Sequence, residues 1–109
     1  MRILFLDDER NPSIVSWLTY TKNSEFTVVR TAREFLAAVD RLETFDVWSL
    51  DHDLGLDYDG EVAPTGYDAL KHALLSLGHK APKNVLVHSK NPIGAKNMTS
   101  YWNSWKEHN

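Results

Sequence analysis

The sequence predicts an α/β domain built on an open parallel sheet of about four strands, with helices on both faces. Short apolar runs alternate with amphipathic stretches along the chain, which is typical of β-α-β crossovers. Most of the apolar runs end in charged or polar residues, as strands do where they leave a sheet. A chain of 109 residues has the usual size of one domain with one core. We therefore expect a single domain over residues 1–109.

Four short apolar runs are predicted to be buried strands. They are rich in branched and aromatic residues and bounded by turn or charged residues, as strands of a parallel sheet are. In chain order they comprise residues 3–6, 26–31, 47–50 and 85–87. The helices between them imply right-handed crossovers, which bring the carboxyl ends of all four strands to one edge of the sheet.

The first two predicted helices precede the third strand. Residues 14–20 are amphipathic and follow a turn at residues 11–13 that also supplies an N-cap. Thr31 and Glu34 have the spacing of a capping box. The helix that they begin places four apolar side chains on one face: Phe35, Leu36, Val39 and Leu42.

Two further helices are predicted in the second half of the chain. One begins at Thr65 or Gly66 and ends at Gly78, and its apolar stripe consists of Leu70, Leu74 and Leu77. The other runs from Ile93 to near the end, and its inner face consists of Met98, Tyr101, Trp102 and Trp105. The acidic residues 56–65 before the third helix are interpreted as a solvated loop or a lid.

Composition excludes several classes of function. The net charge of −3 argues against strong, non-specific binding of duplex nucleic acid, which uses a basic face. The chain has no cysteine, so disulfides and thiolate chemistry are excluded. The apolar N-terminal run is too short for a signal peptide or a membrane span, so we expect a cytoplasmic protein without membrane contact. Oligomerisation through an open sheet edge stays an alternative.

Polar clusters follow three of the four predicted strands. Asp7 and Asp8 come after the first strand, residues 51–53 (DHD) after the third, and His88 and Ser89 after the fourth. In open α/β sheets, ligands bind beyond the carboxyl ends of the strands. Three such clusters at one edge therefore predict a functional site there.

The aspartates of these clusters are the predicted ligands of a divalent metal. Four carboxylates this close raise one another's pKa unless a cation lies between them. Oxygen ligands suit Mg²⁺, Mn²⁺ or Ca²⁺ rather than Zn²⁺, and we expect Mg²⁺ or Mn²⁺. The metal ligands would be Asp7, Asp8, Asp51 and Asp53. The alternative is that these aspartates only cap turns and helices.

Two histidines directly follow apolar strands, and we interpret both as catalytic. His52 and His88 have side chains that titrate near neutral pH, so they could act as a general acid and base, or one could bind the metal. The alternative is a hydrogen-bonded structural role for each. His72, His79 and His108 lie on a helix, in a loop and at the tail, where no chemical role is expected.

Four polar residues are predicted to bind a phosphate. Arg10 would contact it through a bidentate fork and Lys96 as a point charge. Ser89 would donate its hydroxyl, and Asn91 begins a turn whose amides open the last helix as an anion site. The alternatives are ordinary surface cations and a helix cap.

Several of these residues resemble the response-regulator receiver superfamily. The Asp7-Asp8 pair, Asp51 after the third strand, residues 65–67 (TGY) and Ser89 match that pattern. Four longer motifs resemble its variant, the cyclic-phosphate processing receiver domain, and together they cover almost the whole chain. They are LDDER at 6–10, RT at 30–31, SLDHDLG at 49–55 and HSKNPIG at 88–94, the last continuing to Asn97 and Met98.

The resemblance implies a flavodoxin-like fold and a function. In receivers the acidic pair holds Mg²⁺, the strand-three aspartate accepts a phosphoryl group, and the serine contacts it; here those positions are Asp7, Asp8, Asp51 and Ser89. The variant family implies opening of cyclic phosphates on RNA ends or on ADP-ribose-type products. The fifth strand of a receiver, with its lysine, is absent from the pattern.

We therefore expect metal-assisted hydrolysis of a cyclic phosphate in a small substrate or RNA end, with Asp51 either assisting or attacking directly. Two alternatives stay open at this point. One is a non-catalytic signalling module with Asp51 as phosphoacceptor, and the other is a protein that binds a nucleotide without cleaving it.

Overall fold

The computed structural model describes the chain in four stretches, residues 1–15, 20–41, 44–55 and 64–109. From the second strand onward, strands and α-helices alternate in the order that the sequence predicts. The elements are β1 (Arg2–Leu6), β2 (Glu25–Val29), α1 (Ala32–Arg41), β3 (Val47–Leu50), α2 (Gly66–Leu77), β4 (Asn84–Val87) and α3 (Pro92–His108).

The four strands form one parallel sheet in the order β2-β1-β3-β4. Leu6 at the end of β1 lies opposite Val29 in β2 and Leu50 in β3, and Leu50 lies opposite Val87 in β4. All four strands therefore end at the same level, and the loops that follow them share one edge of the sheet. The predicted four-stranded parallel sheet is confirmed.

The three α-helices of the described stretches lie together on one face of the sheet. Successive strand residues point to opposite faces, and Leu4, Leu6, Trp48 and Leu50 share a buried core cluster with residues of all three helices. α2 contacts both α1 and α3. The predicted inner face of α3 is confirmed, since Met98 and Trp102 are buried and Tyr101 and Trp105 pack against the same core.

Phe5 and Ser49 point to the face of the sheet opposite the three α-helices. A helix is predicted for residues 14–20. Instead, Pro12–Ile14 form a 3₁₀ helix, and Val15 has extended backbone angles. Proline favours this first turn, but the helix does not continue from Ile14, so its predicted start is corrected. Residues 16–19 lie outside the described stretches, as do Leu42 and residues 56–63 of the predicted acidic loop.

Local hydrogen bonds fix where the helices begin at the strand-end edge. Thr65 and Asp68 form a reciprocal capping box at the start of α2. Asn91 caps α3, because its Oδ1 accepts from the backbone N–H of Gly94 at 3.0 Å. Within the described stretches, no helix is long and apolar enough to cross a membrane.

Candidate functional site

A polar cleft of about 440 Å³ opens at the carboxyl ends of β1, β3 and β4. We call it the strand-end cleft. It is lined by loop residues only, and most of them carry charge or a hydrogen-bonding side chain. The lining residues are Asp7, Asp8, Glu9, Arg10, Asp51, Asp53, Gly55, Ser89, Lys90 and Asn91. The three polar clusters that the sequence places after these strands therefore do meet at one site.

The carboxylate of Asp7 is fully buried at the base of the cleft. Its Oδ1 accepts the backbone N–H groups of Glu9 at 2.9 Å and Arg10 at 2.8 Å. Its Oδ2 lies 3.1 Å from Nε2 of His88 and 3.4 Å from Nη1 of Arg10. Burial alone would raise the pKa of Asp7, but these hydrogen bonds outweigh it and lower the pKa. Asp7 is therefore ionised and held in one orientation.

Asp7, Asp8 and Asp51 form a compact group of oxygen ligands. Each has a carboxylate oxygen within 4.8 Å of the others, a separation that one cation can bridge. Burial, Glu9 and Asp7 raise the pKa of Asp8, and a divalent cation would relieve that repulsion. Hard oxygen ligands suit Mg²⁺ or Mn²⁺. The three aspartates therefore fit the predicted metal.

Asp53 does not belong to this group. Its side chain is 67% exposed, with Oδ1 lying 2.9 Å from Nδ1 of His52 and Oδ2 accepting from Asn91 at 3.3 Å. The hydrogen bond from His52 lowers the pKa of Asp53. Its predicted role as a metal ligand is therefore revised, and Asp53 instead connects the loops after β3 and β4.

Asp51 is the carboxylate with the most altered acidity. Burial raises its pKa to about 6, and the neighbouring Asp7 adds to the effect. The backbone N–H of His52 donates to Oδ1 at 2.9 Å, and Ser89 and Arg10 also favour the ionised form, but burial prevails. A carboxylate that titrates near pH 6 in an open cleft is suited to accept a proton at neutral pH.

Two arginines organise the loop after β1. Arg10 reaches the cleft, where its Nη1 lies 3.4 Å from Asp7 and 3.8 Å from Asp51. Arg30 follows β2 and donates to the carbonyls of Asp7 at 3.2 Å and Arg10 at 2.6 Å, and to Oδ1 of Asn11. Arg10 therefore lies in the cleft, as predicted. Arg30 does not line the cleft, but it binds the backbone of the loop after β1.

The loop after β4 contributes Ser89, Lys90 and Asn91 to the cleft. The side chain of Ser89 lowers the pKa of Asp51, and its hydroxyl accepts the backbone N–H of Asn91 at 3.0 Å. Lys96 is exposed on α3 and is not among the lining residues. Lys90, directly after Ser89 in the chain, lines the cleft instead, and the phosphate contact predicted for Lys96 stays a prediction.

Neither predicted catalytic histidine lines the cleft. The ring of His52 is 18% exposed, pairs with Asp53 and lies against the first turn of α3 at Gly94. His52 therefore lies between the loop after β3 and the first turn of α3. The structure does not bring its imidazole to the lining of the cleft.

His88 is fully buried beneath Asp7. Its ring stacks on Phe5 with centroids 4.4 Å apart, and its Nδ1 lies 2.9 Å from Oγ of Ser49. Ser49 is in turn 2.7 Å from the hydroxyl of Tyr20. We call Asp7, His88, Ser49 and Tyr20 the His88 network. Burial lowers the pKa of His88 to about 4, so the ring is neutral near pH 7. The buried ring does not line the cleft, and its predicted catalytic role stays a prediction.

Comparison with protein families gives one match. The family model described as the cyclic-phosphate processing receiver domain matches residues 2–104. Among curated proteins, none matches this chain significantly.

A solved structure of a receiver domain shares the fold, and a second, less similar one serves only for comparison. A CheY-like response regulator receiver domain from Methanospirillum hungatei JF-1 is similar with a TM-score of 0.51 and 16% identity, covering 99% of this chain and 98% of that one. A signal receiver domain from Vibrio parahaemolyticus gives a TM-score of 0.47 and 15% identity, covering 98% and 90%. The first likeness confirms the predicted receiver-like architecture.

Proposed function

This chain belongs to the family of cyclic-phosphate processing receiver domains, and from that membership we propose that it hydrolyses a cyclic phosphate in the strand-end cleft. The observation that carries the proposal is Asp51, a carboxylate whose pKa is raised to about 6 beside a group of oxygen ligands and the cations Arg10 and Lys90. The proposed substrate is a small cyclic phosphate or an RNA end carrying one. No duplex recognition is part of the proposal.

The reaction adds one water molecule across one ester bond of the ring. The water oxygen bonds to phosphorus, the bond from phosphorus to one ring oxygen breaks, and that oxygen becomes a hydroxyl on the product phosphomonoester. Asp51 accepts the proton from the attacking water, which a carboxylate with a pKa near 6 can do at neutral pH. Lys90, at the lining of the cleft, is the proposed proton donor to the leaving oxygen.

The charge of the phosphate is balanced by the residues around Asp51. Arg10 lies 3.8 Å from the Asp51 carboxylate and Ser89 lines the same cleft, so a phosphate bound against Asp51 would lie within their reach. Asp7, Asp8 and Asp51 would hold the divalent cation. When bound, Mg²⁺ or Mn²⁺ would neutralise phosphate oxygens in the transition state.

The proposal assigns an indirect part to His52. Its pairing with Asp53, which also accepts from Asn91, keeps the loops after β3 and β4 at a constant separation. Since Asp51 lies in one loop and Ser89 in the other, this separation sets the width of the phosphate site. Positioning of reacting groups in this way contributes to rate.

Turnover of defined substrates tests the proposal. The wild-type protein would be incubated with 2′,3′-cyclic and 1″,2″-cyclic phosphates in Mg²⁺ or Mn²⁺, and ring opening followed by phosphorus NMR. We expect D51N to lower the rate by at least about 100-fold, as loss of a general base does. D40N, on the exposed surface of α1, should react like the wild type. No turnover of any substrate, or equal rates for D51N and wild type, would contradict the proposal.

A second candidate is favoured by the presence of Ser89 and Asp51 together in the lining of the cleft on a receiver-like fold. In this function Asp51 takes a phosphoryl group from a small donor and the domain signals without cleaving a substrate. Incubation with acetyl phosphate and Mg²⁺, followed by mass spectrometry of the intact protein, tests it. A lasting phosphoryl adduct on Asp51, absent from D51N, together with no turnover of cyclic phosphates, would favour signalling over hydrolysis.

A further inference from the structure

The His88 network connects the cleft, through buried polar groups, to the face of the sheet that lies opposite the three α-helices. Nε2 of His88 lies 3.1 Å from Oδ2 of Asp7, and Nδ1 lies 2.9 Å from Oγ of Ser49. The hydroxyl of Tyr20 lies 2.7 Å from the same Oγ. Asp7, His88 and Ser49 are fully buried. Buried polar groups of this kind are retained when every donor and acceptor is satisfied.

Every arrangement of protons that satisfies this network beside an ionised Asp7 places a hydrogen on Nε2 of His88. Ionised Asp7 can only accept, so Nε2 of His88 must carry the hydrogen that it donates. A neutral imidazole then accepts at Nδ1, and Ser49 must donate its hydroxyl hydrogen there. Because Ser49 has no second hydrogen, Tyr20 must donate to Ser49. Each residue therefore determines the direction of the next hydrogen bond.

The ring of His88 also has one allowed plane. It stacks on Phe5 with an interplanar angle of 1°, and Phe5 lies in β1, the strand that leads into Asp7. The ring cannot turn without losing this stacking and both of its hydrogen bonds. Its Nε2–H is consequently aimed at Oδ2 of Asp7, while two backbone N–H groups hold Oδ1.

We propose that His88 is a positioning residue, held by Ser49 and Tyr20 with its proton on Nε2, that orients the Asp7 carboxylate toward a divalent cation. This inference rests on the metal site of the proposed function, but it concerns residues that do not touch the substrate. Partners behind a metal ligand commonly change metal affinity by 10- to 100-fold when they are removed. The effect should decline along the network with distance from Asp7.

Single-atom deletions test the network without removing the ring. S49A removes the donor to Nδ1, and Y20F removes the donor to Ser49. Y101F is the matched control, because Tyr101 packs against Tyr67 on the helical face of the sheet. In each metal-free protein, ¹⁵N NMR reports which ring nitrogen of His88 carries the proton and whether Nδ1 accepts a hydrogen bond. The amide protons of Glu9 and Arg10, which donate to Asp7, report the position of its carboxylate.

Binding of Mn²⁺ alone, followed by electron paramagnetic resonance, supplies the second measurement. We expect the proton on Nε2 in the wild type, altered Nδ1, Glu9 and Arg10 resonances in S49A, and Mn²⁺ binding weakened by about fivefold there, which corresponds to one hydrogen bond. Y20F should show a smaller change in the same direction, about twofold, and Y101F should match the wild type.

Two results would overturn the inference. One is a wild-type His88 with its proton on Nδ1. The other is S49A with the wild-type Glu9 and Arg10 amide resonances and the wild-type affinity for Mn²⁺. Failure of the wild type itself to bind Mn²⁺ would instead overturn the proposed metal site, and this role of His88 with it. The two failures are therefore distinguishable.

Discussion

The imidazole ring of His52 lies so close to the backbone of Gly94 that a Cβ atom at residue 94 would overlap it. This contact joins the loop after β3 to the first turn of α3. The same ring is paired with Asp53, and Asp53 accepts a hydrogen bond from Asn91. Two of the three loops that line the strand-end cleft are therefore held together by one side chain and one glycine.

The first prediction concerns this contact. In an ordinary helix, replacing glycine by alanine stabilises by about 1 kcal/mol. Here G94A should destabilise by about 1–3 kcal/mol, because the added methyl group must displace the His52 ring. Urea unfolding measures the change. In the H52A background the ring is absent, so the same G94A substitution should be neutral or stabilising. Equal effects in both backgrounds would contradict the contact.

The second prediction concerns stability and pH at Asp51. The pKa of this carboxyl rises from an ordinary 3.8 to about 6 on folding, so the folded protein binds the proton more tightly than the unfolded chain. The free energy of unfolding therefore falls as pH rises from about 4 through about 6. D51N should be more stable than the wild type at pH 7–8 by about 1–3 kcal/mol, and this difference should vanish below about pH 4.

Asp53 is the control for that prediction. Hydrogen bonds from His52 and Asn91 lower its pKa, so its ionised form favours the folded state and the sign is reversed. D53N should be as stable as the wild type or slightly less so near neutral pH. Denaturation curves of the wild type, D51N and D53N from pH 3.5 to 8 measure how the free energy of unfolding of each protein depends on pH. If D51N is less stable than the wild type at pH 8, then burial of the ionised Asp51 carboxylate does not destabilise the folded protein, and the prediction is wrong.

The third prediction separates the two lysines. Lys90 lines the cleft, whereas Lys96 lies on the exposed surface of α3. If the protein hydrolyses cyclic phosphates, K90A should lower kcat/KM by at least about 100-fold, because Lys90 is the proposed proton donor to the leaving oxygen. K96A should leave it within about twofold. The reverse order would return the phosphate contact to Lys96.

The fourth prediction concerns Arg30, which does not line the cleft. Its guanidinium holds the carbonyls of Asp7 and Arg10, so R30A should loosen the loop that carries two of the predicted metal ligands. We expect Mn²⁺ binding several-fold weaker and a loss of about 1–3 kcal/mol in stability. R30K should recover part of each, since lysine keeps the charge but not the planar fork. R33A, on the exposed side of α1, is the matched control.

The sheet could be predicted from sequence because its strands are short apolar runs with polar ends. All four were located within two residues of their observed bounds, and the helix predicted to begin at Thr65 or Gly66 begins at Gly66 with Thr65 as its N-cap. The acidic group could be predicted for the same reason. Parallel strands of similar length must end together, so Asp7 and Asp51 had to be neighbours once their strands were identified.

The roles of the histidines could not be predicted in the same way. The side chain of a residue directly after a strand can point into the cleft or pack against side chains of the sheet. The position of His88 in the sequence does not show which of the two orientations it takes. What decides is register: β4 aligns with β3 so that His88 lies over Ser49 and Phe5. Ser49 and Tyr20 carried no pattern that distinguishes them from other polar residues, so their part in the site emerged only in three dimensions.

The close approach of Gly66 to the backbone of Asp51 and His52 limits which residues relatives of this chain can have at position 66. The start of α2 lies against the loop after β3, where Gly66 donates to the carbonyl of His52 at 2.7 Å and a Cβ atom at residue 66 would overlap the carbonyl of Asp51. Both neighbours are backbone, so no side chain can turn aside to admit a methyl group. Residues that line the cleft, such as Lys90, can be exchanged among relatives, but glycine at this position should persist in all of them. A relative with a larger residue there must have moved either the helix or the aspartate.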